Sequence, residues 1–343
     1  LELSSLPFVS VERARALTAA DLAVAAEAAA RAGVRLVGLG ADPQRQPRRV
    51  VDSPRYAAME AYFDAGGPAG RRMMCNTAAV QVNVGLGPSA ADADRQWRVA
   101  SAIGPTLGAA FANSPLLGGR PSCFRSSRLA SWWAMDPTRT RPVEGSGAGP
   151  DAWAEYVLDA RVMLIRAASE QFVVPPGRAP TFREWITSGH PLGWPALEDL
   201  DYHASTLFPP VRPKGWLELR MVDAQPDPWW QVPLAVAAGL LLDPDAGEEA
   251  RRAAVAAGVT DAGLDAARVG LAAPPLAASA RACFAAATAG LRRLGVASAV
   301  LEGVAAYAER WVDRGRTPAD DVLDAWSRED TPRPAAAGVR SWT

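Results

Sequence analysis

Lysine is almost missing from this 343-residue chain: Lys214 stands alone against 35 arginines, and with Asp and Glu counted the formal net charge is −1. The arginine excess, with abundant alanine, is a mark of GC-rich bacterial coding and not of function. Balanced charge excludes a global footprint for nucleic acid or an anionic membrane surface. A small charged substrate held in a local site stays open. Histidine and cysteine are nearly as scarce: His190, His203, Cys75, Cys123 and Cys283, with no CxxC pair. That excludes a zinc site of the usual spacing and reads as free thiols in a reducing cytoplasm. No uninterrupted apolar run of about 18 residues is present, so no membrane-spanning helix is expected. No charged-then-apolar leader stands at the start. GxGxxG and GxxxxGK[ST] phosphate loops are absent, as are RRM, KH and OB patterns, so neither a Rossmann fold nor an RNA-binding module is expected. The chain begins "LELSS", without Met and already alternating like a strand, and part of the natural N-terminus is expected ahead of it.

What is present predicts an α+β protein. Thr18 suits an N-cap for a helix ending at Gly33, "VRLVGLG" reads as a short buried strand, and Asp52 or Ser53 opens a second helix with Pro54 in its first turn. "NTAAVQVNVGLG" alternates strictly, with Val80, Val82 and Val84 on one face and Ala79, Gln81 and Asn83 on the other. A long helix is expected from Ala90 to Phe111. Residues 113–150, rich in Gly, Pro, Ser and Arg, read as an extended functional loop. Short helices flank a strand at "RVMLIR", a further strand runs from Trp216 to Val222, and 226–330 is helical. Strands and helices do not alternate regularly, which favours a mainly antiparallel sheet lined by helices, in a single domain across 1–343.

The segment "VRPKGWLELR" carries the densest chemistry. In a strand, Glu218 and Arg220 share one face about 7 Å apart while Leu217, Leu219 and Met221 take the other. Arg212 and Lys214 lead into it on a proline-stiffened loop. A carboxylate for a divalent cation beside cations for phosphoryl oxygens suits a metal–triphosphate; a cross-strand salt bridge on a solvated sheet face has the same pattern. Glu2, between leucines, repeats the design, and Gln81 with Asn83 offers amide oxygens or a plain polar stripe. In the loop, Arg120, Arg125, Arg128 and Arg139 are interleaved with Trp132 and Trp133, which suits carboxylate recognition by arginine forks. His203 lies two residues before Ser205 with no GxSxG elbow, which points to a helical or capping role. His190, next to Gly189 and Pro191, reads as a turn residue.

In order along the chain, "LELS", "NTAAVQVNV", "ANSP", "SSRLASWW", "DPTRT", "TFREW" and "HASTLFPPVRPKGWLELRMVDAQP" resemble the glutamate–cysteine ligase family. The likeness is to its plant and bacterial branch, and most to the actinobacterial members that serve ergothioneine biosynthesis. The resemblance covers roughly residues 1–245. It implies a glutamine-synthetase-like catalytic fold with a curved sheet whose concave face holds magnesium. It also implies ligation of L-glutamate to L-cysteine with ATP through a γ-glutamyl phosphate. Carried over by motif, Glu218 and Glu2 become Mg²⁺ ligands with Gln81 and Asn83 beside them. Arg220 and Arg212 act on the transferring phosphoryl group, with Lys214 also on phosphate. Arg128 and Trp132 match the family's substrate loop, with Arg128 for the glutamate α-carboxylate; Arg125 is grouped with them although plant members have no clear counterpart. Gly85 stands where plant members carry an acid. The family's Gly-x-Glu-x-Glu strand is expected ahead of Leu1. No nucleic acid, membrane or protein partner is implied, and the location expected is the cytoplasm. Two rivals share these motifs: a carboxylate–amine ligase with another acceptor, and a non-catalytic relative that binds glutamate or nucleotide.

Overall fold

The computed structural model of the chain describes residues 2–143, 149–166, 172–175 and 177–328. At its centre three antiparallel strands lie side by side, Val82–Gly85, Trp216–Leu219 and Val211–Pro213, with Trp216–Leu219 in the middle. The last two form a hairpin around Lys214 and Gly215; Gly215 sits at φ 80°, in the left-handed region that such a tight turn demands and glycine adopts freely. Two further two-stranded pairs, Leu116–Leu117 with Arg120–Pro121 and Ile165–Arg166 with Phe172–Val173, lie outside this sheet. Mixed helix and small antiparallel sheets match the α+β expectation.

Alternation sorts the sheet into two faces. Val82, Val84, Val211, Leu217 and Leu219 are all buried and point to the core. Against them pack the helices Ala90–Ala110 and Gln231–Leu241. Helices Pro244–Ala256, Gly263–Val269 and Pro274–Arg293 close around Ala90–Ala110 from behind. Small residues let these helices approach closely: a Cβ placed at Gly290 would come within 2.3 Å of the Gly239 carbonyl oxygen. Leu240, Leu241, Leu291, Tyr307 and Phe111 fill the space between, each with essentially no exposed surface.

Several local expectations need correction. The first helix runs Val11–Arg31 with Ser10 as N-cap, eight residues ahead of Thr18, because the Ser10 hydroxyl accepts the Arg13 amide while alanines sustain the helix through Thr18. "VRLVGLG" forms no strand and is largely exposed; beyond it only Ala41 makes an isolated bridge, to Thr77. "LELSS" forms no strand among its described residues. Regular pairing in "NTAAVQVNVGLG" is confined to Val82–Gly85, in "RVMLIR" to Ile165–Arg166, and the charged strand ends at Leu219. The presumed loop 113–150 contains the helices Ser127–Trp133 and Pro137–Thr140. Their Gly/Pro-rich surroundings masked two good N-caps, Ser126 and Asp136. The Ser53-capped helix, the long Ala90–Ala110 helix and the helical portion after Pro226 follow the expectation. Residues 144–148 of the loop and 329–330 of the helical portion lie outside the described residues.

His203 is a core residue. Its Nε2 lies 3.0 Å from the Val157 carbonyl and its ring stacks on Phe182 at 4.9 Å, while Ser205 instead donates to the Tyr202 carbonyl. Burial, with the Arg139 charge nearby, pushes its pKa down to about 3. The unfolded chain binds this proton near the ordinary value of about 6.5 and the folded chain does not, so stability falls as pH drops through that window. Urea midpoints measured from about pH 7 to pH 4 should therefore fall more steeply for the wild type than for His203→Gln, by up to about 1.4 kcal/mol per pH unit. Parallel profiles would remove His203 from the acid response.

Candidate active site

The sheet face opposite the core carries the charges. Asn83, Glu218 and Arg212 are cross-strand partners in one row, and Gln81 and Arg220 extend the same face. Glu218 Oε2 accepts two hydrogen bonds, from Arg212 Nε at 2.6 Å and Arg220 Nη1 at 2.7 Å. Burial works to raise the Glu218 carboxyl, but the two guanidinium groups outweigh it and hold the pKa below the usual carboxylate range. Arg212 is anchored further by donating to the Leu207 carbonyl, and the Arg220 amide donates to Pro210. The Arg220 guanidinium lies 5.4 Å from the Trp132 ring centre and 5.7 Å from that of Phe208. Its Nε is buried without a hydrogen-bond partner, and burial lowers its pKa. Gln81 and Asn83 are exposed beside this cluster. Lys214 is exposed at the hairpin tip, its ammonium 5.6 Å from the Trp216 ring.

Behind this row lies a carboxylate that sequence reasoning passed over as part of "MVDAQP". Asp223 accepts from Ser126 Oγ at 2.9 Å and Arg128 Nε at 2.6 Å through Oδ1, and from the Asn113 amide and Ser114 Oγ through Oδ2. Arg128 also donates to the Arg220 carbonyl and lies 5.3 Å from the Trp132 ring. The motifs "ANSP", "SSR" and "MVDAQP" thus meet at one buried carboxylate. The close approach extends to "GLG", where a Cβ at Gly40 would sit 2.4 Å from Asp223 Cγ. The signal available beforehand was an acid directly after apolar residues, which must find donors if it is buried.

A second buried arginine ties down the neighbouring motifs. Arg139, fully buried, donates to Asp136, to the Thr206 carbonyl and hydroxyl, and to the Arg161 carbonyl at 2.6 Å. "DPTRT" is thereby locked to "HASTLF", and Phe208 follows, its amide donating to the Arg139 carbonyl. Not every candidate residue of the strands and of the arginine-rich loop gathers at this cluster. Glu2 is exposed, and among the described residues its side chain accepts only from Ser4. Arg125 pairs at 2.7 Å with Asp320, and Arg120 is exposed. Among the described residues, no three His, Cys, Asp or Glu side chains gather into a metal-binding group. No single helix among them is long and apolar enough to cross a membrane.

Comparison with known proteins bears on what this arrangement does. A family model described as glutamate-cysteine ligase family 2 matches residues 1–337. The chain is 42% identical over 330 residues to glutamate–cysteine ligase EgtA of Mycobacterium tuberculosis (strain H37Rv), covering 94% of this chain and 74% of that protein. It is 41% identical to the EgtA of Mycolicibacterium smegmatis, over 94% of this chain and 75% of that one. The chloroplastic glutamate–cysteine ligase of Arabidopsis thaliana is 31% identical over 255 residues, 71% of this chain and 48% of that protein.

Removing the charge of Asp223 leaves Arg128 buried and unpaired. Asp223→Asn should destabilise the fold by roughly 3 kcal/mol or more, read as a shift in urea midpoint. A loss under about 1 kcal/mol would show that the pair is not holding these segments together.

Proposed function

Because the chain belongs to glutamate–cysteine ligase family 2, we propose that it joins the γ-carboxyl of L-glutamate to the amine of L-cysteine with ATP, through a γ-glutamyl phosphate, as a cytoplasmic step supplying ergothioneine biosynthesis. The polar face of the three-stranded sheet is the catalytic floor of a glutamine-synthetase-like fold within one domain. The observation that carries this reading is Glu218 held by Arg212 and Arg220 on that face, bonded at 2.6 and 2.7 Å.

In this reading each group has a task set by its chemistry. The Arg220 and Arg212 guanidinium groups face the transferring phosphoryl oxygens, whose charge must be stabilised as a carboxylate attacks a triphosphate. Lys214, on the hairpin tip, adds an exposed cation for the outer phosphates. Arg128 has Nε and Nη2 committed to Asp223 and the Arg220 carbonyl, which among the described residues leaves Nη1 for the glutamate α-carboxylate beside Trp132. The deprotonated cysteine amine then attacks the acyl carbon: the C–N bond forms, the C–O bond breaks, inorganic phosphate leaves with that electron pair, and one amine proton is lost to solvent or phosphate.

The donor set also suits magnesium. Both arginines occupy the same Glu218 oxygen, so Oε1 remains for a cation, and Asn83 stands directly across with Gln81 two residues away. Carboxylate and amide oxygens are the hard ligands Mg²⁺ takes together with phosphate oxygens and water. Bound there, the ion would neutralise triphosphate charge. Glu2 lies off this face as the chain stands, so its place in the ligand set requires the N-terminal segment to move onto the sheet.

Turnover of ATP with glutamate, alone and with a panel of amino acids, tests the reaction. Cysteine should release ADP well above any other acceptor; equal release across the panel would leave a ligase of other specificity. Glu218→Gln and Arg220→Ala should each lower kcat by at least about 10²-fold while the far-ultraviolet spectrum stays native. Near-wild-type turnover in both variants would sink the reading of this face.

A further inference from the structure

We propose that Phe208 is a positioning residue: together with Trp132 its ring fixes how Arg220 presents its charge to the reacting phosphoryl group. The inference rests on the role given to Arg220 above and extends it to a residue that no motif argument singled out.

Hydrogen bonds alone do not orient the Arg220 head. Among the described residues its guanidinium makes one side-chain bond, from Nη1 to Glu218 at 2.7 Å, and its Nε is buried without an acceptor. A planar group held at one corner can still swing about that bond. What limits it is contact with two rings, 5.4 Å to Trp132 and 5.7 Å to Phe208. Phe208 is itself immobilised at both backbone ends. Its amide donates to the Arg139 carbonyl at 2.7 Å, and its carbonyl accepts the Trp132 indole N–H at 2.9 Å. Two residues on, the Pro210 carbonyl takes the Arg220 amide at 2.9 Å. The "FPP" stretch therefore holds Arg220 by its backbone and by its head at once. A ring over a guanidinium also favours the charged form without accepting a hydrogen bond, so it takes up none of the Nη donors that phosphate would use.

Phe208→Leu keeps apolar bulk and removes the ring. It should lower kcat about 5- to 30-fold with KM for ATP and glutamate changed less than about twofold, and Phe208→Tyr should restore kcat to within about twofold. In an Arg220→Ala background, Phe208→Leu should cost less than about a further twofold, because the residue acts through the arginine. Three results would overturn the proposal. One is unchanged kcat in Phe208→Leu while Arg220→Ala is crippled, which leaves the ligase reading intact. Another is an equal loss in both backgrounds with a lowered Tm and no rescue by Tyr, which is a purely structural role. The third is near-wild-type turnover in Arg220→Ala, which removes the reading of Arg220 and this inference together.

Discussion

Asp223 has no exposed side-chain surface, and it accepts four hydrogen bonds from Asn113, Ser114, Ser126 and Arg128. A carboxylate taken out of water costs several kcal/mol unless its lone pairs are filled, and the same holds for the guanidinium beside it. Each segment that supplies a donor is therefore constrained to be present. The Ser127–Trp133 helix, the turn after the Ala90–Ala110 helix and the stretch leaving the central strand are held around this group. The charged face of the sheet depends on it directly: Arg128 bonds the Arg220 carbonyl, and Trp132, on the helix that carries Arg128, lies over Arg220.

The scarcity of lysine acquires a structural meaning at these positions. Arg128, Arg139 and Arg212 are each buried and each bonds at least two separate acceptors in a plane. A guanidinium does this with fixed forks and stacks on aromatic rings, whereas an ammonium is a compact, strongly hydrated charge. The single lysine sits where no planar fork is required, exposed on a two-residue turn. Packing explains why those three sites need arginine.

Charge at the candidate site does not cancel. Arg128, Arg212 and Arg220 face two carboxylates, Glu218 and Asp223. The surplus positive charge is largely buried and flanked by Trp132 and Phe208, where Coulomb interactions are less screened than in water. Such a face attracts a polyanion, and Asn83 and Gln81 border it with neutral oxygen donors that add no repulsion. An alternating strand achieves this economically in residues: one face packs on helices while the other carries charge.

Much of this was legible residue by residue. Alternation in "QVNV" and "WLELR" divides apolar from polar faces because the strand period is two, and Glu218 with Arg220 follows from that period alone. The helices follow from their apolar stripes and, for Pro54–Asp64, from the Ser53 cap. Chain order could not say that Asp223 would gather donors from "ANSP" and "SSR", 95 to 110 positions away, or that Arg125 would turn to Asp320 while Arg128 turned to Asp223. Nor could it say that both arginines would choose one oxygen of Glu218. Strand faces and helix stripes are set by local backbone period, which the amino-acid sequence by itself determines. Which buried charges meet is decided by desolvation, felt only once distant segments have closed around them, and that belonged to the tertiary structure.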